Sequence, residues 1–152
     1  MRRYAKRYSL VLVSAAALFA AASLRAAEPL KNIVESYLQI HAQLSADKAD
    51  VKGPASEIVK QAGTMGAGGA AIAKAAGTVA AAKDLKTARE AFGPLSDAVK
   101  AAVDASGPDV AKDLGLKLAF CPMVNRSWLQ KDQKIRNPYY GSAMLECGEF
   151  KK

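Results

Sequence analysis

Residues 84–104 read DLKTAREAFGPLSDAVKAAVD, and the spacing of their apolar residues indicates the fold class. The apolar positions that recur at the three-and-four spacing of one helix face are Leu85, Ala88, Phe92, Leu95, Val99 and Val103. Asp84 precedes them where a helix N-cap is expected. Pro94 is expected to kink or interrupt the helix, because proline has no amide hydrogen and crowds the preceding turn. The stretch predicts an amphipathic helix over about 84–104.

Three further helices are predicted upstream, over about 30–46, 54–63 and 70–82, from the same apolar spacing. A glycine cluster at 63, 66, 68 and 69 separates the second from the third, since glycine disfavours a continuous helix. The apolar stripes are rich in alanine, which lets helices approach closely. The sequence therefore predicts an all-α domain, an up-and-down bundle of about four helices that ends at Ser106-Gly107-Pro108.

The pattern changes at Gly115, where Leu116, Leu118 and Phe120 alternate with other residues at the period of a strand. The rest of the chain is aromatic and rich in turn residues, and it holds both cysteines and the single tryptophan. We expect residues 115–152 to form a small irregular C-terminal lobe that includes a short strand pair. No boundary divides residues 27–152, so a single domain is predicted.

The N-terminus has the layout of a secretory signal peptide. A basic stretch over residues 1–8 precedes an uncharged apolar run that Arg25 closes after 16 residues, short of the roughly 20 that a membrane span needs. Residues 1–26 are therefore predicted to be removed, leaving a periplasmic protein without a stable membrane span. Five of the 22 basic residues and none of the 14 acidic ones lie in this segment, so the formal charge falls from +8 to +3. A net charge of +3 no longer argues for nucleic-acid binding, which depends on a large positive charge.

Two short segments of the lobe each pair one thiol with one thioether: Cys121-Pro122-Met123 and Met144-Leu145-Glu146-Cys147. Residues two apart share a face in an extended segment, and Pro122 keeps Cys121 extended. Residues three apart converge on a turn, which brings Met144 toward Cys147. Thiolates and thioethers are soft donors that prefer Cu(I) or Ag(I) to Mg, Ca or Mn. The spacing permits a soft-metal site without requiring one.

Other roles for these residues stay open. Cys121 and Cys147 are candidates for a disulfide that would stabilise the fold by roughly 3.5 kcal/mol on the chain-entropy model, for free buried thiols, or for a redox pair. His41, the only histidine, is expected to be a hydrogen-bonded core residue or an extra metal ligand. Met65 is expected to fill a gap or to deliver metal. No nucleophile, base and acid can be assembled, so no enzyme is predicted.

The ordered residues of the lobe resemble an exported bacterial domain of unknown function. The motifs that carry the resemblance are Cys121-Pro122-Met123, Trp128-Leu129-Gln130, residues 135–141 (IRNPYYG) and Met144-x-x-Cys147-Gly148-Glu149. Helical positions around Tyr37 and Phe92 agree as well, so the match covers about residues 30–150. One departure lies at residues 124–127 (VNRS), where a glycine-containing turn is expected.

That domain occurs alone and fused to periplasmic adaptor subunits of copper and silver efflux systems. The resemblance implies a helical bundle with a small C-terminal lobe, a role in soft-metal handling and no enzyme activity. It implies Cys121, Met123, Met144 and Cys147 as ligands of Cu(I) or Ag(I), and an efflux adaptor or another metal-handling protein as partner. The competing hypothesis is a periplasmic interaction module that a Cys121–Cys147 disulfide holds together.

Overall fold

The computed structural model describes residues 28–151, so the predicted signal peptide over residues 1–26 lies outside the described residues. The helices are α1 over 28–45, α2 Lys52–Gly63, α3 Ala70–Ala80, α4 Leu85–Ala105 and α5 Val110–Asp113. The strands are β1 Lys117–Cys121, β2 Arg126–Gln130 and β3 Glu149–Phe150, and short 3-10 helices span Gly66–Gly69 and Gly141–Ala143. The chain is mostly helical with a small antiparallel sheet at its C-terminal end.

Helix α4 begins where the sequence predicts. The Asp84 carboxylate accepts a hydrogen bond from the Thr87 backbone N–H at 2.8 Å, and the Thr87 side chain accepts one from the Asp84 backbone N–H. This capping box satisfies two amide groups that a helix start leaves without partners. Of the two effects expected of Pro94, interruption does not occur, because α4 continues through it to Ala105. Pro94 lies on the exposed face, where water can solvate the carbonyl group that loses its intrahelical partner.

The connections agree with the sequence expectation at the glycine cluster and differ from it after α4. The glycine cluster does separate α2 from α3, but it forms an ordered 3-10 turn in which Gly69 lies directly against the backbone of Ala62. A side chain at position 69 would collide with that backbone, so glycine is required for the close approach. The four-residue helix α5 follows the predicted end of the helical part. It is too short for a periodic pattern to reveal.

The lobe is built on a sheet with the strand order β2-β1-β3, both pairs antiparallel. Leu118 lies opposite Leu129 and Cys121 lies opposite Arg126. The lobe therefore contains three strands rather than the expected strand pair. The β1–β2 turn spans residues 122–125, and Asn125 adopts a φ of 51°. Asparagine tolerates this left-handed conformation, so Asn125 can occupy the turn in which the resemblance leads us to expect a glycine.

Bundle and lobe share one hydrophobic core. Phe92 of α4 stacks on Tyr37 of α1 at a centroid distance of 5.1 Å, and it packs on Tyr139 of the lobe at 5.8 Å. Tyr139 in turn meets Trp128 edge to face at 5.9 Å. The four rings are buried and form a continuous chain from the first helix to the sheet. The aromatic part of the core therefore lies where α1, α4 and the lobe meet, and buried residues of α2 and α3 complete the core.

Side-chain hydroxyl groups join the helices to strand β2. The Tyr37 hydroxyl accepts a hydrogen bond from the Leu129 backbone N–H at 3.0 Å and pairs with the Ser96 hydroxyl at 2.8 Å. The Ser127 carbonyl accepts hydrogen bonds from Ser96 at 3.1 Å and from Tyr139 at 2.9 Å. Burial raises the pKa of Tyr37 and of Tyr139 well above the usual range. Both tyrosines therefore stay neutral, and their hydroxyl groups link separate elements of the fold through hydrogen bonds.

Candidate functional site

The two cysteines lie side by side in the lobe. Their Sγ atoms are 3.1 Å apart, and both residues are free thiols. Cys121 is the last residue of β1 and is fully buried, whereas Cys147 lies in the turn before β3 and is partly exposed. The structure thus brings together the two thiols that the sequence singles out, 26 positions apart along the chain.

The environments of the two thiols differ. Burial raises the pKa of the Cys121 thiol, but hydrogen bonds from the Cys147 thiol, from the backbone N–H groups of Val124 and Met123 and from the Asn137 side chain outweigh it and hold the pKa below its usual range. The same sulfur–sulfur hydrogen bond, together with burial, raises the pKa of Cys147. Cys121 is therefore the thiol that loses its proton first, and Cys147 is the one that donates to it.

Asn137 connects the segments that carry the cysteines. Its side chain is fully buried and donates to the Cys147 carbonyl at 2.7 Å, while its Oδ1 accepts from the Tyr139 backbone N–H at 2.9 Å. Its own backbone N–H donates to the Leu145 carbonyl at 2.7 Å. The turn signal of Asn137-Pro138 is visible in the sequence, but the bonds from Asn137 to both cysteine segments are not, since they depend on the tertiary fold.

Gly148 lets the second cysteine reach the sheet. Its φ is +144°, and a Cβ atom there would lie 2.9 Å from Cη2 of Trp128 and 3.0 Å from the Phe120 carbonyl. Only glycine fits this position, both for its conformation and for its space. The Cys147 backbone N–H donates to the Met144 carbonyl at 3.0 Å, which closes the turn that the spacing of Met144 and Cys147 predicts.

The two methionines of these segments lie at the surface. Met123, in the β1–β2 turn, is 66% exposed, and Met144, just after the second 3-10 helix, is 38% exposed. Core-filling methionines would be buried, so packing does not explain either residue. The prediction that both thioethers face the same side of the thiol pair stays a prediction.

His41 and Met65 have other surroundings. His41 Nε2 lies 2.8 Å from the Arg136 carbonyl oxygen, which can only accept, so this nitrogen carries the hydrogen. The imidazole is buried, as expected of a hydrogen-bonded core histidine. Met65 lies between α2 and the first 3-10 helix and packs against the hydrophobic core. Neither environment resembles that of the exposed methionines in the lobe.

A polar cluster that the sequence analysis did not single out fixes the 137–148 loop against the bundle. Arg89 of α4 donates to the Asp47 carboxylate at 2.6 Å, to the Pro138 carbonyl at 3.1 Å and to the Leu44 carbonyl at 2.9 Å. Asp47 also accepts from the Ser142 backbone N–H at 3.1 Å. The hydrogen bonds from Ser142 and the Arg89 guanidinium hold the pKa of Asp47 below its usual range. These contacts set the position of the segment that leads to Cys147.

Within residues 28–151, no three side chains drawn from histidine, cysteine, aspartate and glutamate come together as a metal cluster. Over the same range, none of the helices combines the length and the hydropathy that a bilayer crossing requires. No protein-family model, curated protein or solved structure matches this chain. A function for this chain therefore has to be inferred from its own residues and their geometry.

Proposed function

We propose that the protein is a periplasmic binding protein for Cu(I) or Ag(I), which sequesters the ion or passes it to an efflux or delivery partner. The observation that carries the proposal is the adjacency of the thiols, 3.1 Å apart, in two short segments whose methionines are exposed. This donor set is soft, and soft donors select Cu(I) and Ag(I). The resemblance to the exported domain of efflux adaptors agrees with this assignment.

The thiol pair fits a soft ion after a small adjustment. Two sulfurs that share an ion through bonds of about 2.3 Å, at angles between tetrahedral and linear, lie roughly 3.8 to 4.6 Å apart. The thiols must therefore separate by about 1 Å. Cys147 is partly exposed and lies in a turn, so its side chain has room to rotate. Met123 and Met144 would supply the remaining ligands.

A second candidate function is a periplasmic interaction module in which Cys121 and Cys147 form a structural disulfide. The short sulfur–sulfur distance supports this candidate as well, because closing a disulfide of about 2.05 Å requires a movement of about 1 Å, as admitting an ion does. The two candidate functions give the methionines different roles. Only the metal site needs Met123 and Met144.

The test is a Cu(I) titration of the reduced protein in competition with a chromogenic chelator. We expect one ion per chain, and we expect Met123→Leu combined with Met144→Leu to weaken binding at least about tenfold, or about 1.4 kcal/mol. The melting temperature of the metal-free protein should stay nearly unchanged, because both side chains are exposed and leucine conserves their volume.

The matched control is Met65→Leu, which alters a methionine packed against the core outside the sulfur segments. This variant should bind Cu(I) as the parent does. If the double variant also binds as tightly as the parent, the thioether site is wrong. The disulfide module then becomes the better proposal. Either Cys→Ser variant, which cannot form the disulfide, should then be less stable than the oxidised parent by about 2 to 5 kcal/mol.

A further inference from the structure

We propose that Cys147 and Cys121 exchange reversibly with a low-molecular-weight disulfide such as glutathione disulfide, Cys147 reacting first and Cys121 closing the internal bond. The pair is already within 3.1 Å, so forming a bond of about 2.05 Å requires an approach of only about 1 Å. The chemistry is stoichiometric and needs no catalytic base or cofactor.

The order of attack follows from access to the two sulfurs. Cys121 is fully buried at the end of β1, whereas Cys147 is partly exposed. A disulfide in solution can therefore reach Cys147 and not Cys121. Once Cys147 carries the incoming group, the buried thiol is the nearest nucleophile.

The exchange balances in two steps. The Cys147 proton first passes to the neighbouring Cys121 sulfur. The Cys147 thiolate so formed attacks one sulfur of glutathione disulfide, the bond between the glutathione sulfurs breaks, and one glutathione leaves as a thiolate that takes that proton from Cys121. The Cys121 thiolate then attacks Cys147 Sγ and displaces the second glutathione, which is protonated likewise. The two cysteine thiols are oxidised, glutathione disulfide is reduced to two thiols, and two protons pass from the cysteines to the products.

The loop around Cys147 keeps the two sulfurs close together during these steps. The Asn137 side chain holds the Cys147 carbonyl at 2.7 Å, and the Met144 carbonyl holds the Cys147 backbone N–H at 3.0 Å. The backbone is therefore fixed on both sides of the reacting residue, and the movement is confined to the side chain. Such pre-organisation favours the internal disulfide over a lasting mixed disulfide.

A consequence for the ion rests on the proposed function. In the oxidised form the two cysteine sulfurs are bonded to each other and no longer act as thiolate ligands. Only the thioethers of Met123 and Met144 then remain to bind the ion. Loss of both thiolates should weaken Cu(I) binding by about a hundredfold or more. The redox state of the pair would then decide whether the site takes an ion.

The exchange is tested with the folded, metal-free protein, glutathione disulfide and intact-mass analysis. The parent should lose the mass of two hydrogens and recover it in excess reduced glutathione. Cys121→Ser retains the accessible thiol, so it should accumulate an adduct of one glutathione. Cys147→Ser retains the buried thiol and should react at least about tenfold more slowly than Cys121→Ser.

The results separate this proposal from the proposed function. A parent that stops at the mixed disulfide, a Cys147→Ser variant that reacts as fast as Cys121→Ser, or an absence of reaction would each overturn the exchange, whatever the Cu(I) affinity. Reduced protein that binds no Cu(I) but still closes its disulfide would overturn the metal function and leave the exchange standing. Oxidised and reduced proteins with equal Cu(I) affinity would overturn the link between them.

Discussion

His41 occupies a position where burial and hydrogen bonding determine its protonation. Burial lowers the pKa of the imidazole, and the charge of Arg136 lowers it further. The hydrogen bond to the Arg136 carbonyl and the charge of Asp132 raise the pKa, but by less. The neutral ring, with its hydrogen on Nε2, is the form that the fold selects. The residue is therefore a pH-sensitive part of the junction between α1 and the lobe.

We predict that the parent loses stability as the pH falls from about 7 through the unfolded histidine value near 6.5. The folded pKa is lowered, so in this window the unfolded chain binds the proton more readily and acidification favours unfolding. His41→Gln keeps an amide that can donate to the Arg136 carbonyl and removes the titration. Urea unfolding at several pH values should show a flatter profile for the variant. Equal slopes would mean that another group controls this window.

At the scale of the secondary-structure elements, the 137–148 loop depends on the Asp47–Arg89 pair. Gly141 adopts a φ of +56°, and a Cβ atom there would overlap both the Arg89 guanidinium and the Asp47 carboxylate. Gly115 has a similar φ of +67° but open space around it. An alanine at position 115 would therefore cause backbone strain alone, whereas an alanine at position 141 would cause backbone strain and a steric collision.

We expect Gly115→Ala to cost about 1 to 2 kcal/mol, the strain of a left-handed alanine. Gly141→Ala should cost clearly more in denaturant unfolding, because the new methyl group also displaces side chains that hold α1, α4 and the loop together. If the two variants lose the same amount, the Asp47–Arg89 pair contributes little to the position of the loop.

The sequence predicts the long elements well and the short ones poorly. The end of α1 and the starts and ends of α2 to α4 agree with the periodic pattern within two residues, and Asp84 marks the start of α4. Strand β2 is hidden because Trp128, Leu129 and Gln130 are all buried, which removes the alternation of a surface strand. Strand β3 has two residues, too few for any pattern. The up-and-down order of the helices stays a prediction.

The candidate site was accessible to sequence reasoning only in part. Sequence reasoning predicts the approach of the two thiols, since either a disulfide or a shared ion requires it. The roles of Asn137, Arg89 and Asp47 depend on contacts between residues far apart in the chain, which no local pattern encodes. The exposure of Met123 and Met144 was equally hidden, because methionine is common both in cores and at surfaces.

At the scale of the whole molecule, the aromatic chain makes bundle and lobe one cooperative unit. Phe92 contacts both Tyr37 and Tyr139 and is fully buried. Phe92→Ala should therefore cost about 3 to 5 kcal/mol, the loss for a buried aromatic side chain. Far-ultraviolet circular dichroism follows the helices, and the fluorescence of the single tryptophan, Trp128, follows the lobe.

Both signals should report one shared transition in the parent and in the variant. The control is Phe150→Ala, which alters a ring that is 37% exposed and should cost less than about 1 kcal/mol. A loss below about 1 kcal/mol for Phe92→Ala would remove Phe92 from the core. Separate transitions for the two signals would show that the lobe unfolds independently of the helices.

The hydroxyl groups that meet β2 also affect how copies of this chain behave at high concentration. An outer strand normally offers its free amide and carbonyl groups as a template on which another chain can add a strand, the first step toward fibres. Here Tyr37, Ser96 and Tyr139 already occupy the Leu129 amide and the Ser127 carbonyl. The opposite border of the sheet, β3, is only two residues long. The lobe thus gives a neighbouring molecule little backbone on which to polymerise.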